Sequence, residues 1–168
     1  MENLNKKAIC FDPELCLGCY SCVVSCMDQN DIDVEADELS WRHIEQVEQG
    51  KPEPAVSYVS IACMHCEDAP CIAACPSGAL ARDAQTGNVI VRSKLCIGCH
   101  ACAMACPFGA PRFGVSGKMQ KCDGCANRTA FGYEPACVHN CPTGALSFGD
   151  INEQMETRSG AAARTLAR

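Results

Sequence analysis

At 168 residues the chain has room for one domain or two small lobes, and its 17 cysteines approach the density at which cross-links or metals replace a large apolar core. Nine aromatic residues are too few to build an interior on rings, no run of 18 apolar residues is present to span a membrane, and a formal charge of −6 sets the chain against nucleic-acid phosphate. The start, Met1-Glu-Asn-Leu-Asn-Lys-Lys7, carries neither an apolar signal core nor a twin arginine. Export on its own signal is not expected, nor is the disulfide scaffold of an oxidising compartment, and the expected location is the cytoplasm.

In chain order, Lys7-Ala-Ile-Cys-Phe-Asp-Pro-Glu-Leu15 reads as an entry strand carrying Cys10, a buried thiol. It leads into the first cysteine group, Cys16-x2-Cys19-x2-Cys22-x3-Cys26, where Met27 rather than proline follows, so the helical turn is free to continue. An acidic insert over 31–57 follows: six acids fall between Asp28 and Glu38 and read as a solvated face, and Trp41 reads as a packing residue. Lys51-Pro-Glu-Pro54 is a stiff turn, and Ala55 to Ala62 alternates as a strand does.

The second group is Cys63-x2-Cys66-x4-Cys71-x3-Cys75-Pro76. After it, Pro76-Ser-Gly-Ala-Leu80, a turn at Gly87-Asn88 and Val89 to Leu95 predict a β-hairpin leading to the third group, Cys96-x2-Cys99-x2-Cys102-x3-Cys106-Pro107. The fourth group, Cys122-x2-Cys125-x11-Cys137-x3-Cys141-Pro142, exits through Pro142-Thr-Gly-Ala-Leu146, as group two does. Residues 151–168 are read as a C-terminal arm.

The third group has the C-x2-C-x2-C-x3-C-P run with which bacterial ferredoxins bind cubane clusters, three thiolates on one cluster and the fourth on its neighbour. Zinc hooks also use C-x2-C pairs, but zinc gives no reason for triplets followed by a fourth cysteine and proline. Sixteen cysteines fall into four sets of four, with Cys10 left over, which fits four 4Fe–4S clusters. Loaded, the protein would carry about −14, a charge suited to docking on positive or neutral protein surfaces.

The hairpin joins groups two and three into one ferredoxin unit over 58–110. Groups one and four then pair by elimination and by their matching flanks, over 7–30 and 118–150. The expected fold class is α+β, with two interleaved ferredoxin-like lobes of short β-hairpins and short helices, one inserted in the other. The expected ligand sets are Cys16, Cys19, Cys22 with Cys141; Cys63, Cys66, Cys71 with Cys106; Cys96, Cys99, Cys102 with Cys75; and Cys122, Cys125, Cys137 with Cys26. Gly18, Gly98 and Gly124 keep the loops open for backbone amides to turn toward sulfur. His65, His100 and His139 lie beside ligands without joining them, and Lys118 and Lys121 bring positive charge near group four. No nucleophile–base pair, phosphate loop or open metal position is present, so no catalysis by the protein itself is expected.

The order of the groups, the longer spacing in groups two and four, Lys121-Cys-Asp-Gly-Cys-x2-Arg128 and Cys137-Val-x2-Cys-Pro-Thr-Gly-Ala145 carry a resemblance. Over roughly 7–150 the sequence resembles the four-cluster electron-transfer subunits of molybdenum and tungsten oxidoreductases, among them the iron–sulfur subunits of dimethyl sulfoxide reductase, formate dehydrogenase and tungsten aldehyde oxidoreductase complexes. The resemblance implies a non-catalytic subunit relaying single electrons between a molybdenum- or tungsten-pterin catalytic subunit and an acceptor, such as a ferredoxin or a flavin- or NAD-binding subunit. The alternative is a free-standing polyferredoxin carrier. Some relatives replace a group-three ligand by Trp and hold a three-iron cluster; Cys99 and Cys102 are both present here, so four cubanes are expected. Shorter than most relatives and without the extension some use to meet a membrane anchor, the protein is expected in a soluble complex. Clusters at both ends also suggest end-to-end self-association.

Overall fold

Eight short strands pair only two by two, each pair antiparallel, in a computed structural model that describes residues 7–36 and 38–166, with side chains described as far as 158. β1 (Lys7–Phe11) pairs with β8 (Leu146–Asp150), β2 (His43–Gln49) with β3 (Ala55–Ile61), β4 (Leu80–Arg82) with β5 (Val89–Val91), and β6 (Arg112–Phe113) with β7 (Met119–Gln120). Isolated two-stranded ribbons are marginal in water. Their apolar faces are closed here by the cysteine-bearing loops and by short helices: α1 (Ser21–Gln29), α2 (Pro70–Ala73), α3 (Ala101–Ala105), α4 (Ala126–Thr129) and α5 (Ala136–His139). Mixed α/β structure in short pieces is what the sequence led us to expect.

The hairpin predicted between groups two and three is β4–β5, with Leu80 opposite Val91. Its connection is wider than a Gly-Asn turn. Asp83 and Asn88 close it through Asp83 N–H to the Asn88 carbonyl at 2.8 Å, and the Asp83 carboxylate accepts from the Thr86 amide at 2.8 Å. Arg82 then ties the ribbon to group two by donating to the carbonyls of Cys66 and Glu67. At the other end of the sequence β1 and β8 run from Lys7 opposite Asp150 to Phe11 opposite Leu146, which brings the entry to group one against the exit from group four.

Proline placement sets helix length. α1 runs through Cys26 and on to Gln29 with no proline to stop it, whereas α2, α3 and α5 end before Cys75-Pro76, Cys106-Pro107 and Cys141-Pro142.

Two apolar cores form, and cysteines belong to both. One gathers Cys22, Ile44, Cys137, Val138 and Leu146, with Ile9, Phe11, Tyr58 and Phe148 against them. The other gathers Leu80, Val89, Cys102 and Met119, with Ile72, Val91 and Phe113 against them. Groups one and four thus share one core, and groups two and three the other.

The insert is more ordered than its acid content suggested. Its β2–β3 ribbon sends Ile44 and Tyr58 into the first core, and Trp41 Nε1 donates to Gln120 Oε1 at 3.0 Å, pinning it to β7. β2 escaped the sequence reading because His43-Ile-Glu-Gln-Val-Glu-Gln49 is rich in residues poor at forming strands. The C-terminal arm is a helix, α6 (Ile151–Leu166), capped where the Asp150 carboxylate accepts from the Asn152 amide at 2.9 Å. Gln154 fixes α6 to the terminal ribbon through Ser147 Oγ at 2.6 Å and the Ala8 carbonyl at 3.1 Å.

Candidate metal centres

The third position of the first C-x2-C loop in every group has a left-handed backbone: Gly18 at φ +66°, His65 at +46°, Gly98 at +68° and Gly124 at +77°. That conformation folds the loop back on itself and turns amides inward. The Gly124 amide lies 3.4 Å from Cys122 Sγ, the His65 amide 3.5 Å from Cys63 Sγ, and the Met119 amide reaches Cys96 Sγ at 3.4 Å from the next ribbon. Two of the glycines are also tightly covered. A Cβ on Gly98 would sit 2.6 Å from the Gly117 carbonyl oxygen, and one on Gly18 2.5 Å from the Tyr58 ring.

None of the 17 cysteines is in a disulfide. Cys22, Cys26, Cys102, Cys122, Cys125 and Cys137 are buried, while Cys16, Cys63, Cys66, Cys71, Cys75, Cys96, Cys106 and Cys141 are partly covered. Cys10, expected from the sequence to be buried, is also only partly covered, because it lies on a two-stranded ribbon that covers it only in part. Cys19 and Cys99 are exposed, so the sites they belong to open to the surface. Burial pushes the Cys122 thiol up to about 12 and Cys125 to about 11, and it raises Cys22, Cys26, Cys71 and Cys102 as well. Cys19 is drawn down by the Ser21 hydroxyl. Against the opposing effect of burial, Cys75 is drawn down by the Ser77 hydroxyl and the amides of Leu80 and Ala79. Cys141 is drawn down in the same way by the Leu146 amide and the Thr143 hydroxyl.

That last pair explains a repeat in the sequence. After the fourth cysteine, Cys75-Pro-Ser-Gly-Ala-Leu80 and Cys141-Pro-Thr-Gly-Ala-Leu146 each curl a hydroxyl and a row of amides around the sulfur, with Ser77 Oγ at 3.6 Å and Thr143 Oγ1 at 3.7 Å. The repeated exit was visible in the sequence, and the hydroxyl at its second position is the signal that would have marked Ser77 and Thr143 as sulfur partners.

The thiols are near enough to repel one another's charge in recurring combinations. Cys19 is near Cys141, and Cys22 near Cys137 and Cys141; Cys122 and Cys125 are near Cys26 and Cys137; Cys71 is near Cys63 and Cys106; and Cys102 is near Cys96 and Cys71. Cys75, Cys96, Cys99 and Cys102 line one cavity together with Leu80, Phe113 and Met119. Among the described residues, no three His, Cys, Asp or Glu side chains close on a point that would hold a single ion. In a cubane each thiolate binds a different iron, so its ligands stand apart around a larger body.

Two buried cations bear on whether an anionic group fits here. Arg42 is 5% exposed and Lys121 3%, and neither is in an ion pair among the described residues. Arg42 Nη1 donates to Ser60 Oγ at 2.8 Å, and that hydroxyl lies 3.6 Å from Cys22 Sγ. Lys121 Nζ donates to the carbonyls of Val89 and Cys122. A buried charge without a counter-charge costs several kcal/mol, about 3–5 when a partner is removed. Thiolate-bound iron–sulfur cores are anionic and supply that counter-charge, so the donor set and the cations fit such groups. Arg42 escaped the sequence reading because a basic residue in an acidic insert reads as surface.

Comparison with known proteins agrees with this chemistry. A family model for a 4Fe–4S dicluster domain matches residues 54–151, and a 4Fe–4S binding-domain model matches 13–27. The protein belongs to the 4Fe–4S dicluster family. It is 41% identical over 152 residues to the B subunit of the anaerobic dimethyl sulfoxide reductase of Escherichia coli (strain K12), covering 84% of this sequence and 72% of that one. It is 38% identical over 182 residues to the thiosulfate reductase electron transfer subunit PhsB of Salmonella typhi, covering 94% and 90%. It is 37% identical over 174 residues to the iron–sulfur subunit of the nitrate-inducible formate dehydrogenase of Escherichia coli (strain K12), where the match spans 58% of the relative. This dicluster-family member is therefore an iron–sulfur protein with 4Fe–4S clusters as its cofactors, and the resemblance read from the cysteine groups holds over most of its length.

Proposed function

We propose that the protein is a non-catalytic electron-transfer subunit with four 4Fe–4S clusters, serving a molybdenum- or tungsten-pterin oxidoreductase in the cytoplasm. When bound, each cluster supplies a one-electron redox couple. What carries the reading is the neighbourhood of the thiols: Cys141 lies by Cys19 and Cys22, Cys106 by Cys71, Cys26 by Cys122 and Cys125, and Cys75 lines one cavity with Cys96, Cys99 and Cys102. Ligand sets of Cys16, Cys19, Cys22, Cys141; Cys63, Cys66, Cys71, Cys106; Cys96, Cys99, Cys102, Cys75; and Cys122, Cys125, Cys137, Cys26 accord with it.

The interleaved architecture is part of this proposal. The β1–β8 ribbon and the first core support a lobe from residues 7–30 and 118–150, and β4–β5 and the second core support a lobe over 58–110. Met119 packs in the second core, so the boundary is better drawn after it. The four sites then follow one another. Cys102 lies near Cys71 within one lobe, Lys121 stands between Cys71 and Cys122, and Cys137 adjoins both Cys26 and Cys22 in the other.

The residues hold and shield the sites, and apolar side chains at the outer loops, Leu17 at 70% exposure and Ile97 at 69%, offer contact surface for a partner subunit. The test is anaerobic purification from the native source. The expected outcome is about sixteen iron and sixteen sulfide per polypeptide, with a pterin-containing subunit in stoichiometric amount. A lone monomer retaining all its clusters would point instead to a free-standing carrier. The native mass and bound flavin report on a flavin- or NAD-binding subunit and on self-association.

A further inference from the structure

Arg42 and Lys121 have a placement that the electron-transfer reading leaves unused. Arg42 reaches Cys22 through Ser60, and its charge bears on Cys22, Cys26 and Cys122, thiols of two different ligand sets in one lobe. Lys121 is bonded to the carbonyl of Cys122 in that lobe and to the carbonyl of Val89 on β5 of the other, and its charge bears on Cys71. Each buried cation therefore stands at a boundary between two sites, and the set built on Cys122 adjoins both. Neither is in an ion pair among the described residues.

We propose that Arg42 and Lys121 are shared counter-cations, each raising the reduction potentials of the two cluster sites it separates, so that Lys121 sets the step between the lobes and Arg42 the step within the first lobe. The proposal rests on the four-cluster assignment above. The physical ground is simple. Reduction adds one negative charge to a site, and a fixed positive charge in a poorly screened interior favours that change at both neighbours. Sharing matters, because a cation that raised one site alone would open a gap between it and the next, whereas one at the boundary moves both and keeps the step small. A purely structural role, with Lys121 merely tying two carbonyls together, predicts no such pattern.

The experiment is an electron-paramagnetic-resonance-monitored redox titration of the full loaded protein, with iron counted for every variant. Lys121→Gln keeps a donor for the two carbonyls and removes the charge; Lys121→Met is the second neutral variant, and Arg42→Gln is the matching change at the other boundary. Each neutral variant is expected to lower two of the four reduction steps by at least tenfold in equilibrium constant, about 59 mV for a one-electron couple. One step should respond in both cases. The step of the site built on Cys75, Cys96, Cys99 and Cys102 should respond in neither. Lys121→Arg and Arg42→Lys should stay near the wild-type potentials.

Full iron content with all steps unchanged overturns the proposal. So does a uniform shift of all four, or a charge-conserving variant that shifts as far as the neutral one. Wild-type protein with fewer than about sixteen iron atoms would instead fail the four-cluster assignment itself, and this proposal with it.

Discussion

Gly98→Ala separates two demands made at the third position of a C-x2-C loop. A φ of +68° costs any L residue about 1–2 kcal/mol. The second cost is contact, since the new Cβ would lie 2.6 Å from the Gly117 carbonyl oxygen, which is backbone and not the end of a flexible side chain. The turn between β6 and β7 must shift, and with it Met119, which is 2% exposed and whose amide reaches Cys96 Sγ at 3.4 Å. A hydrogen bond to a charged group is worth about 1.5–3 kcal/mol, so the two costs together come to about 3–5 kcal/mol. Gly78→Ala is the control, since Gly78 has φ +63° and nothing within 4 Å of its Cβ position; only the first cost applies there. Each kcal/mol moves the midpoint of a protein this size by about 2–4 °C. Anaerobic heating, followed by the clusters' visible absorbance, should show Gly98→Ala lower by about 6–20 °C and Gly78→Ala by about 2–8 °C. Equal midpoints for the two variants would refute the reasoning, because the covered loop would then be no tighter than the open one.

Cys26→Ala should remove the cluster site of Cys122, Cys125 and Cys137 rather than that of its own group. Iron falling by about a quarter, with loss of the signal that responds to both Lys121 and Arg42 variants, is the expected result. Cys10→Ser, on β1 and outside every ligand set, should leave iron content unchanged, whereas a fall would make it a ligand. His43 titrates below its ordinary value because burial and the Arg112 guanidinium disfavour its cation, with Arg42 adding to them and Glu45 opposing. Its Nδ1 meets Arg112 Nη2 at 3.0 Å and so accepts, which a proton there would prevent. A depressed base contributes stability that is present above its unfolded value of 6.5 and lost as pH falls through its folded value. Between about pH 7.5 and 5.5, His43→Gln should therefore show a smaller fall in thermal midpoint than wild type; parallel falls would count against the assignment.

Spacing made the chemistry legible, because metal ligation constrains residue type and separation more tightly than packing does. The four cysteine groups, the β4–β5 hairpin and the continuation of α1 past Cys26 all follow from short-range rules about cysteine, glycine and proline. What sequence reading missed depends on long-range partners. β2 is polar along most of its length and is a strand because β3 pairs with it. β6 and β7 are two residues each, too short to show any period. Arg42 owes its role to Ser60 across the ribbon, and Trp41 to Gln120, 79 residues away. The hydroxyls of Ser77 and Thr143 lay between these cases, present as a repeat but without meaning until the sulfur was seen beside them.

The β1–β8 ribbon has a consequence for how the protein is made. Its two strands are more than 130 residues apart in sequence, so the core holding Cys22 and Cys137 has no lid until residue 150 has left the ribosome. The segment over 58–110 needs nothing synthesised after β7 to close its own core. At about 5–20 residues per second the remaining thirty or so residues take about 1.5–6 seconds, during which the first group's thiols stand ready with their partners not yet made. Assembly is thus ordered from the middle outward. The earliest cysteines to be translated are among the last to be enclosed, and they are the ones most in need of a reducing environment while the polypeptide grows.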